Sequence, residues 1–387
     1  MFTHKVRRAA VAAVVVTAAA GATAGCGSSS GTAGGKDATI AVAVATSGPD
    51  GALGVPMADA VKLAVREAQQ AGGLPGRLAV EVEDDQEKPE VATTLARKFC
   101  GESGTIAAIG DLASEVTLGT QPVYDGCGLA QITPVSSADG LTAKGYKRFF
   151  RTTPNNSAEG TGAAAYLHAH LSGLKSAATI DANDTTTVGL ANAFASAFAA
   201  AGGRKIVTQE HITSGSTDFR GVLTKIIGER PDVLYLSLFF NDAALITKQA
   251  RELGYTGQIV AVDASVTPEY VKIAGQQAAE GVLMSNLGLD PTKTPSAVSF
   301  TKDFRAAFGT APNAYAANAF DAANVVIAAW KQAGSADRAK VADAIASTSL
   351  QGTQGPIAFD AKGDLRDPQI GMFQVKHGTI VFVGPAK

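Results

Sequence analysis

The sequence is poor in the groups that covalent and metal chemistry need. Its 387 residues include three cysteines, five histidines and one tryptophan, and 18% of them are charged. His168 and His170 stand two apart in a helical segment and so do not share a face, while His211 and His377 have no cysteine or histidine nearby. No basic run follows residues 1–8, and the net charge is −2. The sequence therefore predicts no metal site, no cofactor and no nucleic-acid surface.

Two motif matches that would indicate an enzyme stand in the wrong context. Residues 27–31 fit the G-x-S-x-G pattern of hydrolases, but they lie in a glycine- and serine-rich stretch without the strand and helix that this motif joins. Residues 160–165 fit the G-x-G-x-x-A pattern of dinucleotide-binding turns, with Asp181 about 20 residues further on. Such a turn is tight, whereas residues 154–159 separate these glycines from the preceding strand-like segment. We therefore expect no enzymatic activity and read the small residues as a closely packed crossover helix.

The start of the chain predicts export and a lipid anchor. Residues 1–20 have a basic beginning and an alanine-rich apolar run that is too short to span a membrane comfortably. Residues 23–26 (TAGC) then resemble the processing site of a bacterial lipoprotein, with threonine where an apolar residue is usual. We expect residues 1–25 to be a signal peptide, Cys26 to carry lipid at the outer face of the cell membrane, and residues 26–37 to form a flexible tether. The alternative is an ordinary signal peptide with a free cysteine.

The two other cysteines, Cys100 and Cys127, predict a disulfide. An exported protein resides in an oxidising compartment, where an even number of cysteines tends to pair. Each cysteine falls near the end of a predicted helix, and the two helices are successive and on the same side of a sheet. The alternative is a pair of buried free thiols.

Strand-like and helical segments alternate along the chain, which predicts an α/β fold. Apolar runs bounded by turns predict strands at residues 38–44, 78–82, 105–109, 129–132, 177–181, 205–208, 233–238 and 259–262. Helical spacing of apolar residues predicts helices between them and again at residues 295–308, 315–332 and 338–345. Two strand-like tail segments, 357–359 and 372–383, are expected to return to the second lobe.

Crossings near residues 151–156 and 281–286 divide this pattern into two halves. We predict two doubly wound parallel-sheet lobes joined by a multi-strand hinge, which together form a clamshell. Lobe 1 comprises residues 38–153 plus 287–355, and lobe 2 comprises residues 154–286 plus 356–387. Ligands of such sheets bind beyond the carboxyl ends of the strands.

Polar and aromatic groups stand at those strand ends. Ser114 is placed to cap a helix whose free N–H groups suit a carboxylate. Ser137 follows another strand of the first half, and Asp263 follows a strand of the second half. Together they predict a zwitterion site, in which one lobe binds a carboxylate and the other binds an amine. Ser114 and Asp263 could instead only cap helices, Ser137 could be an ordinary loop residue, and of Phe239 and Phe240 only one is expected to face the cleft.

Several motifs occur in an order that resembles the branched-chain amino-acid binding proteins. These are type I periplasmic substrate-binding proteins that supply ABC importers, and the resemblance runs from about residue 38 to the end of the chain. The motifs are residues 47–49 (SGP), 84–85 (DD), 110–117 (GDLASEVT), 132–134 (ITP), 141–146 (LTAKGY), 150–153 (FRTT), 355–357 (GPI) and 360–365 (DAKGDL).

The resemblance implies how an amino acid would be bound. Ser114 would bind the ligand carboxylate, and Ser137, where relatives often have threonine, would bind both the carboxylate and the amine. The carbonyl of Val135 would accept from the amine. Asp263, where relatives often have glutamate, would pair with the amine.

The resemblance also implies an altered side-chain pocket. Phe239 falls on an aromatic position that packs against the ligand, and Tyr315 borders the side-chain pocket. Thr186 stands where relatives often have tyrosine, and Leu53 where they often have an aromatic residue. These two replacements remove bulk and a hydroxyl group, so the pocket differs from that of a standard leucine binder.

The implied function is that of a monomeric, lipid-anchored solute-binding protein with an ABC permease and ATPase as partners. Its implied ligand is a small amino acid of the branched-chain kind or a related zwitterion. The alternatives are a ligand-sensing receptor subunit on the same fold, or a binder of amides, urea or small carboxylates.

Overall fold

The computed structural model describes residues 37–290 and 294–386. The predicted signal peptide, the predicted lipidation site Cys26 and the tether up to residue 36 lie outside the described residues. In the part of the chain that is described, no helix is long and apolar enough to cross a membrane.

The first half of the chain builds a parallel sheet with strand order β2-β1-β3-β4-β5. Its strands are β1 (Ala38–Val44), β2 (Leu78–Asp84), β3 (Thr105–Gly110), β4 (Ala130–Thr133) and β5 (Phe149–Arg151). The helices between them are α1 (Gly51–Ala71), α2 (Pro89–Gly101), α3 (Ser114–Cys127) and α4 (Gly140–Ala143). Ile40 and Val42 on one face of β1, and Ala41 and Ala43 on the other, are all buried, as expected for a parallel strand covered on both faces. The short β5 lies where the sequence predicted only a crossing.

The second half builds another sheet, with order β14-β13-β10-β9-β8-β6-β7. Its parallel part consists of β6 (Ser176–Asp181), β7 (Lys205–His211), β8 (Val233–Ser237), β9 (Gln258–Ala261) and β10 (Leu283–Asn286). The accompanying helices are α5 (Asn156–His170), α6 (Thr185–Ala200), α7 (Arg220–Gly228), α8 (Phe240–Glu252), α9 (Pro268–Ala274) and α10 (Gln276–Ala279), with a 3-10 turn at Asp263–Ser265. The predicted two-lobe architecture is confirmed.

The last part of the chain covers the first sheet with helices and adds two strands to the second sheet. The remaining elements are α11 (Pro295–Phe308), α12 (Ala314–Ala333), α13 (Arg338–Ala346), β11 (Ser349–Gln351), β12 (Pro356–Ala358), β13 (Gly371–Lys376) and β14 (Thr379–Pro385). Helix α12 packs on α1, and α13 packs on β3, so these helices cover the first sheet. Strands β13 and β14 join the second sheet in antiparallel fashion, as predicted for the tail. Strand β12 instead pairs with β11 in a separate two-stranded sheet, which corrects the prediction for residues 357–359.

Two predictions about local packing are confirmed. A Cβ on Gly160 would lie 2.5 Å from the backbone nitrogen of Phe194, so the small residues of α5 do allow close packing against α6. Cys100 near the end of α2 and Cys127 at the end of α3 form a disulfide, with their Cα atoms 5.8 Å apart. The disulfide ties together two successive helices of the first sheet.

Candidate functional site

A cavity lies between the two sheets, beyond the carboxyl ends of β4, β6, β8 and β9. It holds about 360 Å³ of empty space, open solvent at its mouth included. The residues that line it are Leu112, Val135, Ser137, Thr186, Thr187, Leu190, Ser237, Leu238, Phe239, Val262, Asp263, Ala264 and Tyr315. The predicted site residues among them are Val135, Ser137, Thr186, Phe239, Asp263 and Tyr315. The structure thus brings together groups from two sheets and from α12, because the ends of parallel strands meet at one edge of each sheet.

Asp263 is the charged side chain in the wall of this cavity. One carboxylate oxygen, Oδ2, accepts a hydrogen bond of 2.6 Å from the Tyr315 hydroxyl. The ion pairs within the described residues do not include Asp263. Burial raises the pKa of Asp263 to about 6, and the hydrogen bond from Tyr315 opposes that rise. Asp263 therefore lies in the cavity wall without a positively charged partner among the described residues.

The loop that carries Val135 and Ser137 is fixed by hydrogen bonds to residues that do not line the cavity. The Ser136 hydroxyl donates to the carbonyl of Asp111 at 3.1 Å and lies 2.7 Å from the hydroxyl of Thr117. The carbonyl of Ser137 accepts from the backbone N–H of Asn156, the first residue of α5. The loop is consequently held in place before any ligand reaches it.

Arg151 is a supporting residue to which the sequence reasoning assigned no role. Its side chain is fully buried, and its Nε donates to Asp364 Oδ1 at 2.6 Å. The rest of the guanidinium donates to the carbonyl of Ala138 and to the Thr142 hydroxyl, both at 3.0 Å. Arg151 therefore joins the cavity loop to the tail of the chain. A charged residue inside an otherwise apolar strand was the signal that could have indicated this role.

Ser114 differs from its prediction in two respects. Ala113, not Ser114, occupies the capping position of α3, and no side-chain hydrogen bond caps this helix. Ser114 is fully buried and does not line the cavity. Its hydroxyl accepts from the N–H of Ala138 at 3.1 Å, and its own N–H donates to the Thr186 hydroxyl at 3.0 Å. The N–H predicted to bind a ligand carboxylate is thus already bound to a side chain of the opposite lobe.

Of the apolar side chains predicted for the site, that of Phe239 lines the cavity and that of Leu53 does not. Phe239 is partly exposed and lines the cavity, whereas Phe240 is 3% exposed and belongs to the core, which confirms that one of the two faces the cleft. Leu53 is also 3% exposed and packs in the core of the first lobe, so it does not line the cavity. Leu53 lies in the first turn of α1, and this helix packs against α12.

Buried carboxyl groups lie at the strand ends of the first sheet, behind the cavity. Asp85 is fully buried after β2, and burial raises its pKa to about 6. Asp111 is 1% exposed after β3, and burial together with nearby Asp85 raises its pKa to about 7. Asp111 Oδ2 accepts from the Thr120 hydroxyl at 2.8 Å and from the Gln131 amide at 3.2 Å. In residues 37–290 and 294–386 no cluster of histidine, cysteine or carboxylate side chains could hold a metal ion.

Comparisons with known proteins identify the family and the fold of the chain. A model of the periplasmic binding protein family matches residues 37–379. An amino acid binding protein of Pseudomonas aeruginosa is 30% identical over 332 residues, which cover 85% of this chain and 88% of that protein. A crystal structure of a leucine binding protein from Thermotoga maritima matches with a TM-score of 0.83 and 28% identity, covering 90% of this chain and 98% of the other.

A second solved structure has the same fold and contains a ligand. It is a branched-chain amino acid transporter substrate binding protein from Streptococcus pneumoniae in complex with isoleucine, with a TM-score of 0.82, 26% identity, and coverage of 90% of this chain and 100% of the other. The chain belongs to the periplasmic binding protein family and has the type I fold of that family. It is a substrate-binding protein and not an enzyme. The resemblance indicated by the sequence motifs is thereby confirmed.

Proposed function

We propose that this protein binds a small amino acid of the branched-chain kind, or a related zwitterion, and delivers it to an ABC importer. The observation that carries this proposal is Asp263, a carboxylate without a positive partner among the described residues, in a cavity whose other lining residues are mostly apolar. A buried carboxylate is costly unless a cation pairs with it, and an α-ammonium group supplies that cation. The solved relatives, a leucine binding protein and a substrate-binding protein in complex with isoleucine, support the same class of ligand.

In the proposed mechanism the protein closes around its ligand and performs no chemistry. The ligand first contacts Ser137 and the carbonyl of Val135 in the first lobe, and Asp263 and Phe239 of the second lobe then close over it. The hydrogen bonds that join the lobes in the present conformation include those from Tyr315 to Asp263 and from the N–H of Ser114 to Thr186. A ligand carboxylate that binds the Ser114 N–H has to displace the Thr186 hydroxyl. Thr186 therefore selects for ligands whose carboxylate binds more strongly than a hydroxyl does.

The proposed setting is the outer face of the cell membrane. We assign residues 1–25 to a signal peptide and Cys26 to a lipid anchor. We divide the lobes at the boundaries predicted from the sequence, except that β12 belongs with its partner strand β11 in lobe 1. An ABC permease and its ATPase would then receive the ligand from a monomeric binding protein. A ligand-sensing role on the same fold would differ in the partner and not in the binding site.

A thermal-shift screen of the protein tests this proposal. The panel contains the common amino acids, small amides, urea, short dicarboxylates and NAD. A ligand at 100 times its Kd stabilises the folded state by about 2.7 kcal/mol, which gives a clear shift. Stabilisation by branched-chain or other small amino acids supports the proposal. Stabilisation only by an amide, or by an acid that lacks an amine, would overturn the role of Asp263 as an ammonium partner.

A further inference from the structure

A second carboxyl group, Glu159 on α5, lies directly behind Asp263. Its side chain is fully buried and does not line the cavity. Its Oε1 accepts a hydrogen bond of 3.1 Å from the backbone N–H of Asp263 and one of 2.5 Å from the Ser285 hydroxyl on β10. Its Oε2 is buried and has no hydrogen-bond partner among the described residues. Glu159 thus contacts the backbone of the proposed ligand-binding residue without facing the ligand.

The titratable groups near Glu159 are one carboxyl group and two phenol groups. Asp263 approaches from the end of β9, Tyr235 from β8, and Tyr315 from the start of α12. No lysine, arginine or histidine forms an ion pair with Glu159 or Asp263 within residues 37–290 and 294–386. Two ionised carboxylates in one buried site without a cation repel each other, and this repulsion favours a proton on one of them.

The surroundings of the two carboxyls decide which one is protonated. Asp263 lines the cavity and receives the Tyr315 hydrogen bond, and both features favour its ionised form. Glu159 is enclosed, and one of its oxygens receives no hydrogen bond. In agreement with this, burial and nearby Asp263 raise the pKa of Glu159 well above its usual range, whereas the pKa of Asp263 rises only to about 6.

We propose that Glu159 is a positioning residue of the ligand site, a neutral carboxylic acid that fixes the backbone at Asp263 and leaves Asp263 as the ionised partner of the ligand amine. This inference rests on the proposed function where it concerns the ligand, but the protonation of Glu159 does not depend on it. Because Glu159 remains neutral, Asp263 and Glu159 together carry one negative charge at neutral pH. A single ammonium group balances that charge.

The first test needs no ligand. Infrared spectra of the wild type and of Glu159→Gln, recorded at pH 7.5, report protonated carboxylic acids by their C=O stretch. The difference spectrum is expected to show the loss of one protonated carboxyl in the variant. Glu90→Gln, which removes an exposed carboxyl of α2, serves as the matched control and should remove no such band. A Glu159→Gln difference spectrum without a protonated band would overturn the inference.

The second test uses calorimetric titration with the amino acid that binds the wild type. Glutamine keeps the oxygen that accepts from the Asp263 N–H, so Glu159→Gln is expected to bind with a Kd within about threefold of the wild type, with an unchanged pH midpoint. Glu159→Leu removes that acceptor and should weaken binding by about tenfold or more. An ionised Glu159 would instead raise the pKa of Asp263, and its removal would then lower the pH midpoint by about a unit or more, which would overturn the inference. This pH criterion is decisive even if Glu159→Leu fails to fold.

The two tests separate the inference from the function on which it rests. A wild type that binds no amino acid overturns the proposed function and the ligand role of Glu159. The infrared result then still decides whether Glu159 is protonated.

Discussion

Replacement of Asp263 by alanine is the sharpest perturbation of the proposed site. The ligand ammonium would be buried in the cavity without a carboxylate, while Tyr315 would lose the acceptor of its 2.6 Å hydrogen bond. Removing one partner of a buried ion pair costs about 3–5 kcal/mol. The Kd is therefore expected to rise by about 100- to 4,000-fold, at 1.4 kcal/mol for each factor of ten.

Isothermal titration calorimetry at pH 7.5 measures this loss. Tyr315→Phe is the matched control, because it removes the hydroxyl that donates to Asp263 and leaves the carboxylate in place. One lost hydrogen bond costs about 1–2 kcal/mol, so the control should weaken binding by about five- to thirtyfold. Binding by Asp263→Ala within about threefold of the wild type would refute the assignment of Asp263 to the ligand amine.

The pH dependence of binding tests the same carboxylate independently. The pKa of Asp263 lies at about 6 because burial raises it from its ordinary 3.8. Above pH 6 the carboxylate is ionised and the Kd should be constant, whereas below pH 6 the Kd should rise about tenfold per pH unit as Asp263 is protonated. Binding at pH 6 should also release protons, which calorimetry in buffers of different ionisation enthalpy detects. A Kd profile that is flat from pH 4.5 to 8 would contradict the role of Asp263.

Three further predictions concern stability. Asp364→Ala leaves the fully buried guanidinium of Arg151 without its 2.6 Å ion pair. The free energy of unfolding, measured in urea, should therefore fall by about 3 kcal/mol. A fall of less than about 0.5 kcal/mol, the size expected at an ordinary surface position, would contradict this. Reduction of the Cys100–Cys127 disulfide, 27 residues apart, should lower that free energy by about 3.5 kcal/mol, and denaturation curves that coincide with and without reductant would argue against it. The pKa of Asp111 is raised from 3.8 to about 7, so between these pH values the folded state holds a proton that the unfolded state has released. The free energy of unfolding should therefore fall by roughly 1–3 kcal/mol between pH 5 and pH 8. Asp111→Asn should reduce this slope in urea titrations at several pH values, and an unchanged slope would exclude Asp111 as its source.

Much of the architecture could be predicted because it follows from local pattern. Buried parallel strands are apolar runs, and helices repeat apolar residues with their own period, so the order of strands and helices could be read along the chain. The Cys100–Cys127 disulfide could be predicted because both cysteines end successive helices on one side of a sheet. The position of Asp263 could be predicted because ligands of such sheets bind at strand ends. The short strand β5 was not predicted because three residues, one of them an arginine, are too few to show the apolar pattern that marks a strand.

The sequence by itself therefore determined the fold class, the family and the strand ends that line the cavity, since these depend on neighbours in the chain. Only the tertiary structure decided which side chains meet there. Arg151 pairs with Asp364, 213 residues away, and Glu159 bonds to the backbone of Asp263, 104 residues away. Tertiary packing also placed Leu53 in the core. Such contacts depend on how two sheets and their helices pack and on where each side chain then points, and no local pattern encodes that geometry.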